Sequence, residues 1–224
     1  MKIKTVNLTK SYHVGRSEIH AVNQVNLEID ERSFIAIIGP SGSGKSTLLN
    51  LIGLNDYPTS GNLFLDGADT SRLSSGDRRK IRRLRLGFVF QTFNLLPTLS
   101  AMENVEVPMS LAGKPQKTQK ERALSLLEIV GLGNRFRHRP RQLSMGEMQR
   151  VAIARALANE PEMILADEPT GELDSKTAKE MIGLLFDVNR KEKTTVIVAT
   201  HDEKIVDIAD FIYTIKDGVL KHES

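Results

Sequence analysis

Val25, Leu27 and Ile29 alternate with Gln24, Asn26, Glu28 and Asp30, the two-residue period of a strand buried on one face. Phe34–Ile38 is instead a continuous apolar run closed by Gly39-Pro40, as in a strand covered on both faces. A Gly/Ser loop follows, and Lys45–Ile52 has a helical pattern stopped by Gly53. Leu63 and Leu65 alternate ahead of Asp66-Gly67, predicting a strand and a tight turn. Further on, Thr118 and Glu121 have capping-box spacing, with Ala123, Leu124, Leu127 and Val130 behind them and Gly131 as a stop. Ser144-Met145-Gly146-Glu147 has the same spacing and opens a helix carrying Val151, Ala154 and Leu157. Two β-rich runs, Met163–Ala166 and Thr194–Thr200, flank a helical pattern around Ala178–Val188. Strand alternating with helix predicts an α/β fold whose parallel sheet is covered on both sides. Residues from about 92 to 144 read as a mostly helical insert in that body.

Composition narrows the class without identifying it. The chain has 224 residues, 40% of them apolar and 26% charged, which excludes a disordered tail or a fibre. No repeat or linker divides it, so residues 1–224 are expected to form a single domain. The absence of cysteine removes disulfides and thiol chemistry. MKIKTVNLTKSY lacks the apolar centre of a signal peptide. Apolar runs fall well short of the roughly 20 residues that span a bilayer, so any work at a membrane calls for another chain. Thirty-one basic against 28 acidic residues leave a net charge of +3, too small a surplus to point to nucleic acid. The basic run Arg78–Arg85 is either a surface for anionic groups or a solvated helix face with Ile81 and Leu84 turned inward.

The chemistry concentrates in a few short stretches. Gly39, Pro40, Ser41, Gly42, Ser43, Gly44, Lys45 and Ser46 fit G-x-x-x-x-G-K-[ST] between a predicted strand and a predicted helix. Glycines let consecutive N–H groups curl around phosphate oxygens, and the helix N-terminus adds partial positive charge. Lys45 is expected on the β/γ-phosphates and the Ser46 hydroxyl on Mg²⁺. A second apolar run delivers Asp167 and Glu168 at its C-terminal end, where ligands of parallel sheets collect. Asp167 is the expected outer-shell partner of Mg²⁺, and Glu168 the group that orients and deprotonates an attacking water. The Ser144 helix start is an anion-binding end or simply a capped helix.

Together with LSMGEMQ (143–149), these motifs resemble the ATP-binding cassette family, the nucleotide-binding subunits of ABC transporters. The resemblance covers essentially the whole chain, and GFVFQTFNLLPTLSAMENVEVPM and ILADEPTGELDS are most similar to MacB-type exporters, lipoprotein-releasing ATPases and FtsE-type ATPases. It implies a P-loop NTPase, RecA-like parallel-sheet core with an N-terminal antiparallel β subdomain and an inserted helical subdomain. Residues 1–91 and 145–224 then form the core and β subdomain, and about 92–144 the insert. It also implies ATP and Mg²⁺ as ligands, with Thr47 joining the nucleotide contacts. Tyr12 is implied to stack on adenine, Gln91 to contact metal and attacking water, and His201 to sense the γ-phosphate. Ser144 and Gly146 are implied to reach a nucleotide held by a second subunit, and Asp174, which closes the GELD stretch (171–174) resembling the family's D-loop, is implied to join the nucleotide contacts. Unaided, Tyr12 reads as a packed strand aromatic, Gln91 as a polar strand end and His201 as a solvated or hydrogen-bonded loop histidine. Met145 departs from the family pattern, which has glycine there.

The implied activity is ATP hydrolysis by a head-to-tail homodimer that powers a separate transmembrane permease from the cytoplasmic face of the membrane, with no nucleic-acid partner. Phe93, Leu95, Leu96 and Pro97 lie in the stretch that resembles the permease-accepting surface. The alternatives are a soluble cassette ATPase of DNA repair or translation, and a P-loop NTPase outside the family.

Overall fold

The computed structural model describes residues 1–15 and 17–223. The chain opens with strands β1 (Ile3–Val14), β2 (Ser17–Ile29) and β3 (Phe34–Ile38), then helix α1 (Lys45–Ile52). Strands β4 (Ser60–Leu65) and β5 (Ala68–Asp69), helix α2 (Ser75–Arg85) and strand β6 (Leu86–Phe90) follow. Helices α3 (Ala101–Leu111), α4 (Gln116–Ile129) and α5 (Met145–Ala156) lead to β7 (Met163–Asp167). The chain ends with α6 (Ser175–Glu192), β8 (Thr195–Thr200), β9 (Phe211–Lys216) and β10 (Val219–Glu223).

The central sheet has the order β10-β9-β3-β8-β7-β6. All pairings are parallel except β9 with β10. Strands β3, β7 and β8 are almost wholly buried because both faces are covered, whereas the edge strand β10 is largely exposed and carries Lys221, His222 and Glu223. Phe34, Ala36, Ile164, Ala166, Val196 and Val198 point into a core shared with α3, α4, α5 and α6. Their neighbours Ile35, Ile37, Met163, Leu165, Ile197 and Ala199 point the other way, against α1 and the N-terminal strands. The period-two geometry of a strand produces this division directly.

The second sheet, β2-β1-β4-β5, is antiparallel as expected. Asp66 (φ 49°) and Gly67 (φ 81°) make the predicted two-residue turn between β4 and β5. Register shifts interrupt β1, where Asn7 has φ 47°. A Cβ on Gly61 would lie 2.1 Å from the Asn7 carbonyl oxygen, so only glycine lets β4 cross there.

Two local expectations are corrected. Helix α4 begins at Gln116, not at a Thr118 cap: Pro115, with φ already fixed near the helical value, takes the N-cap position, and Thr118 lies inside the first turn. The cap the pattern missed is Ser100-Glu103, a full capping box at the start of α3. The basic run is a solvated helix face only in part: Ile81 packs on the core as the spacing predicts and Arg79 and Lys80 stay exposed, but the other arginines make fixed contacts. Arg78 is buried at 2% exposure and, with Arg82, donates to the Leu54 and Asp56 carbonyls. Arg83 donates to the Leu111 carbonyl, and Arg85 forks onto Glu162 and also pairs with Asp66. These guanidiniums close the ends of neighbouring elements, work for which a five-donor fork suits better than an ammonium.

Candidate functional site

Strand β3 ends beside its parallel neighbours, and the chain turns at once into α1. Gly44, the N-cap, has φ 107° and offers no side-chain cap, so the first amides of α1 stay open to an anion. Backbone packing sets the turn's shape from outside. A Cβ on Gly44 would come 2.0 Å from the Ala21 carbonyl oxygen, and one on Gly39 2.2 Å from that of Ile215. Gly218 N–H donates to the Ser43 carbonyl at 3.0 Å, and Ser43 N–H to that of Pro40 at 3.2 Å. Ser43 is buried with its hydroxyl unpartnered, while Ser41 and Gly42 are exposed and Thr47 is half-buried in the first turn of α1.

Lys45 is 5% exposed and folds back over this turn, its Nζ donating to the carbonyls of Gly39 (2.7 Å) and Pro40 (3.1 Å). It also lies 3.2 Å from Glu168 Oε1. On β7, Asp167 accepts the Ser46 hydroxyl at 2.9 Å. Burial pushes the Asp167 carboxyl above its usual range. The Ser46 bond opposes this, the Glu168 charge adds to it, and Lys45 opposes it in turn. Glu168 has φ 45°, a conformation that a side chain rarely adopts, and its N–H donates to the Ala199 carbonyl at 2.8 Å. The twist sends adjacent carboxylates to different partners: Asp167 to Ser46, Glu168 to Lys45 and to His201 Nδ1 at 2.9 Å. His201 follows β8, so three parallel strand ends converge on one point.

Gln91, just after β6, donates to Glu172 at 3.1 Å and packs against Gly171 in the loop beyond Glu168. Asp174 caps α6 by accepting from Lys176 N–H, Thr177 N–H and the Thr177 hydroxyl. A Cβ on Gly146 would meet the Thr177 methyl at 2.6 Å, so the starts of α5 and α6 abut. Ser144 and Glu147 complete a capping box there, with Met145 at 51% exposure beside them. Among the described hydrogen bonds, none joins Ser144, Gly146 or Asp174 to the phosphate turn of the same chain. Tyr12, at 43% exposure on β1, donates from its hydroxyl to Asp56 at 3.1 Å.

Residues 22–171 match the model of a protein family described as ABC transporter. This chain belongs to that family. The lipoprotein-releasing system ATP-binding protein LolD of Legionella pneumophila is 47% identical, over 95% of this chain and 94% of LolD. The macrolide export ATP-binding/permease protein MacB of Shewanella sp. is 47% identical over 94% of this chain, which matches 32% of MacB. A dimeric structure of a post-hydrolysis state of the cassette MJ0796, bound to ADP and Pi, superposes with a TM-score of 0.91 at 45% identity, covering 99% of this chain and 98% of that one. The chain is thus an ATP-binding cassette with ATPase chemistry, built on the P-loop NTPase fold expected of it. No helix among the described residues is long and apolar enough to cross a membrane.

Several parts of the cassette's site had no signal in the motifs. Ala21 and Gly218 shape the phosphate turn from distant strands. Arg155 on α5 donates to the carbonyls of Phe93 (2.8 Å) and Asn94, both at positive φ, and so fixes the loop after Gln91. Glu172 was invisible for the same reason: its role depends on where Gln91 is placed.

Proposed function

We propose that this cassette hydrolyses ATP as one half of a head-to-tail homodimer and so drives a separate permease of the MacB and lipoprotein-release kind. The observation that carries this is the convergence of Lys45, Ser46, Asp167, Glu168 and His201 on one phosphate-sized turn. ATP enters by its phosphates against the open amides at the start of α1, and Lys45 exchanges carbonyl and Glu168 contacts for phosphate oxygens. Glu168, freed from Lys45 and still held by His201, accepts the proton of the attacking water. His201 holds that carboxylate in place and stands where the γ-phosphate ends, and Gln91 orients the water from the loop side.

Ser46 Oγ and Asp167, 2.9 Å apart, are hard oxygen donors of the kind Mg²⁺ takes, so the residues fit that ion. When bound, Mg²⁺ neutralises charge on the β- and γ-phosphates; Ser46 and Asp167 hold it. The exposed starts of α5 and α6 bring Ser144, Gly146 and Asp174 to the seam, where they complete the partner's site rather than their own. Closure therefore depends on ATP, and its loss on hydrolysis reopens the pair.

The division into a core of 1–91 and 145–224 with a helical insert of about 92–144 gives the permease its seat. A cleft of about 440 Å³ lies between them, lined by Phe88, Phe90, Val107 and Pro108 together with Arg79, Arg82 and Arg83. Its apolar and arginine lining suits a short cytoplasmic helix carrying acidic residues, which supports a peripheral position on the inner face of the membrane. Glu168→Gln tests the core of this function. It should cut ATP turnover about 10²–10⁴-fold while retaining ATP and forming an ATP-dependent dimer on gel filtration. Normal turnover in that variant would refute the assignment of the base.

A further inference from the structure

Asp56 gathers an unusual number of partners for a loop carboxylate. It accepts the Tyr12 hydroxyl at 3.1 Å, Lys10 Nζ at 2.8 Å and the Tyr57 N–H at 2.7 Å. Burial works against the ionised form, yet the Lys10, Tyr57 and Tyr12 contacts outweigh it and hold the carboxyl below its usual range. Lys10 Nζ also donates to the Tyr57 carbonyl at 2.8 Å and lies 5.2 Å from the centre of the Tyr12 ring. Asp56 is tied to α1 as well, its N–H donating to the Asn50 carbonyl at 3.2 Å. One helix therefore carries the phosphate turn at its start and, through Asp56, the Tyr12 ring near its end.

The β1–β2 hairpin closes the connection from above. Lys10 pairs with Val22 and Tyr12 with Ile19, so both flank Ala21, whose carbonyl touches Gly44 of the phosphate turn. A tyrosine at 43% exposure on a hairpin would otherwise sample several rotamers. We propose that Asp56 is a positioning residue that fixes the Tyr12 ring at a set distance from the phosphate turn, as a preorganised platform for the adenine of ATP. This rests on the assignment of Tyr12 as the adenine-stacking residue. Holding the ring in the free protein removes the cost of ordering it on binding, and that cost falls only on ligands that carry a base.

The test is calorimetric titration of the full chain with Mg²⁺-free ATP and with inorganic tripolyphosphate. Y12F removes a single oxygen and leaves the Asp56–Lys10 pair intact; D56A, the double variant and Y12A complete the set. Y12F and D56A should each weaken ATP about three- to tenfold, and the double variant no more than either alone, while tripolyphosphate affinity stays unchanged. Y12A should weaken ATP further. Unchanged ATP affinity in Y12F and D56A, with Y12A weakened, would overturn the role of Asp56 and leave the platform standing. Unchanged affinity in Y12A would overturn the platform itself. Equal losses for ATP and tripolyphosphate would show that Asp56 merely supports α1, and would also overturn the proposal.

Discussion

Two glycines of the phosphate turn share a backbone conformation forbidden to most side chains but differ in their surroundings, so alanine at each separates strain from steric exclusion. Gly42 has φ 78° with nothing within 4 Å of the place a methyl would take, whereas Gly44 has φ 107° and would put its methyl 2.0 Å from the Ala21 carbonyl oxygen. Gly42→Ala should therefore cost only the left-handed penalty, about 1–2 kcal/mol. Gly44→Ala carries that penalty and must also move either the turn or the β1–β2 hairpin until oxygen and carbon are at least 3.0 Å apart. Interior overpacking of this kind costs about 1–3 kcal/mol more, for a total of about 2–5 kcal/mol. At about 2–4 °C per kcal/mol for a chain of this size, Gly42→Ala should lower the melting temperature by about 2–8 °C, and Gly44→Ala by about 4–20 °C. ATP affinity by calorimetry should follow the same order, because the displaced amides are the phosphate donors. Equal losses at the two positions would refute the claim that the hairpin shapes the turn.

Asp167→Asn should stabilise the ligand-free cassette at pH 7. A folded-state pKa above the unfolded value means that the folded protein holds the proton more tightly, so wild-type stability falls as pH rises from the ordinary value of 3.8 through the raised one. Melting curves of both proteins from pH 3 upward check this: their gap should open with rising pH, and a constant gap would refute the burial argument. Met145→Gly, made in the Glu168→Gln background, should increase ATP-dependent dimer on gel filtration, because an exposed side chain leaves the seam beside Ser144; unchanged dimer would show that Met145 is accommodated. Arg85→Ala removes the fork onto Glu162 and the pair with Asp66 and should cost about 1–3 kcal/mol in urea denaturation, with ATP affinity unaltered.

Sequence alone determined the parts that depend on local chemistry. The strand–turn–helix at Gly39–Ser46 was legible because glycine spacing, a buried strand and a following helix are all written within a few residues of one another. So were the Asp66-Gly67 turn, the Ser144 cap and the double-faced burial of β3, β7 and β8, each a consequence of backbone preference and side-chain period. What joins residues far apart in the chain was decided by the fold. The positive φ of Glu168 aims it at Lys45 and His201, and only the parallel order of β3, β8 and β7 brings those three together. The Arg78–Arg85 run looked like a charged surface because its carbonyl and carboxylate partners are separated from it by up to 77 residues. Ala21 and Asp56 carry no motif at all: one contributes a backbone oxygen and the other a common acid, and their importance comes from the packing of the hairpin and α1 around the turn.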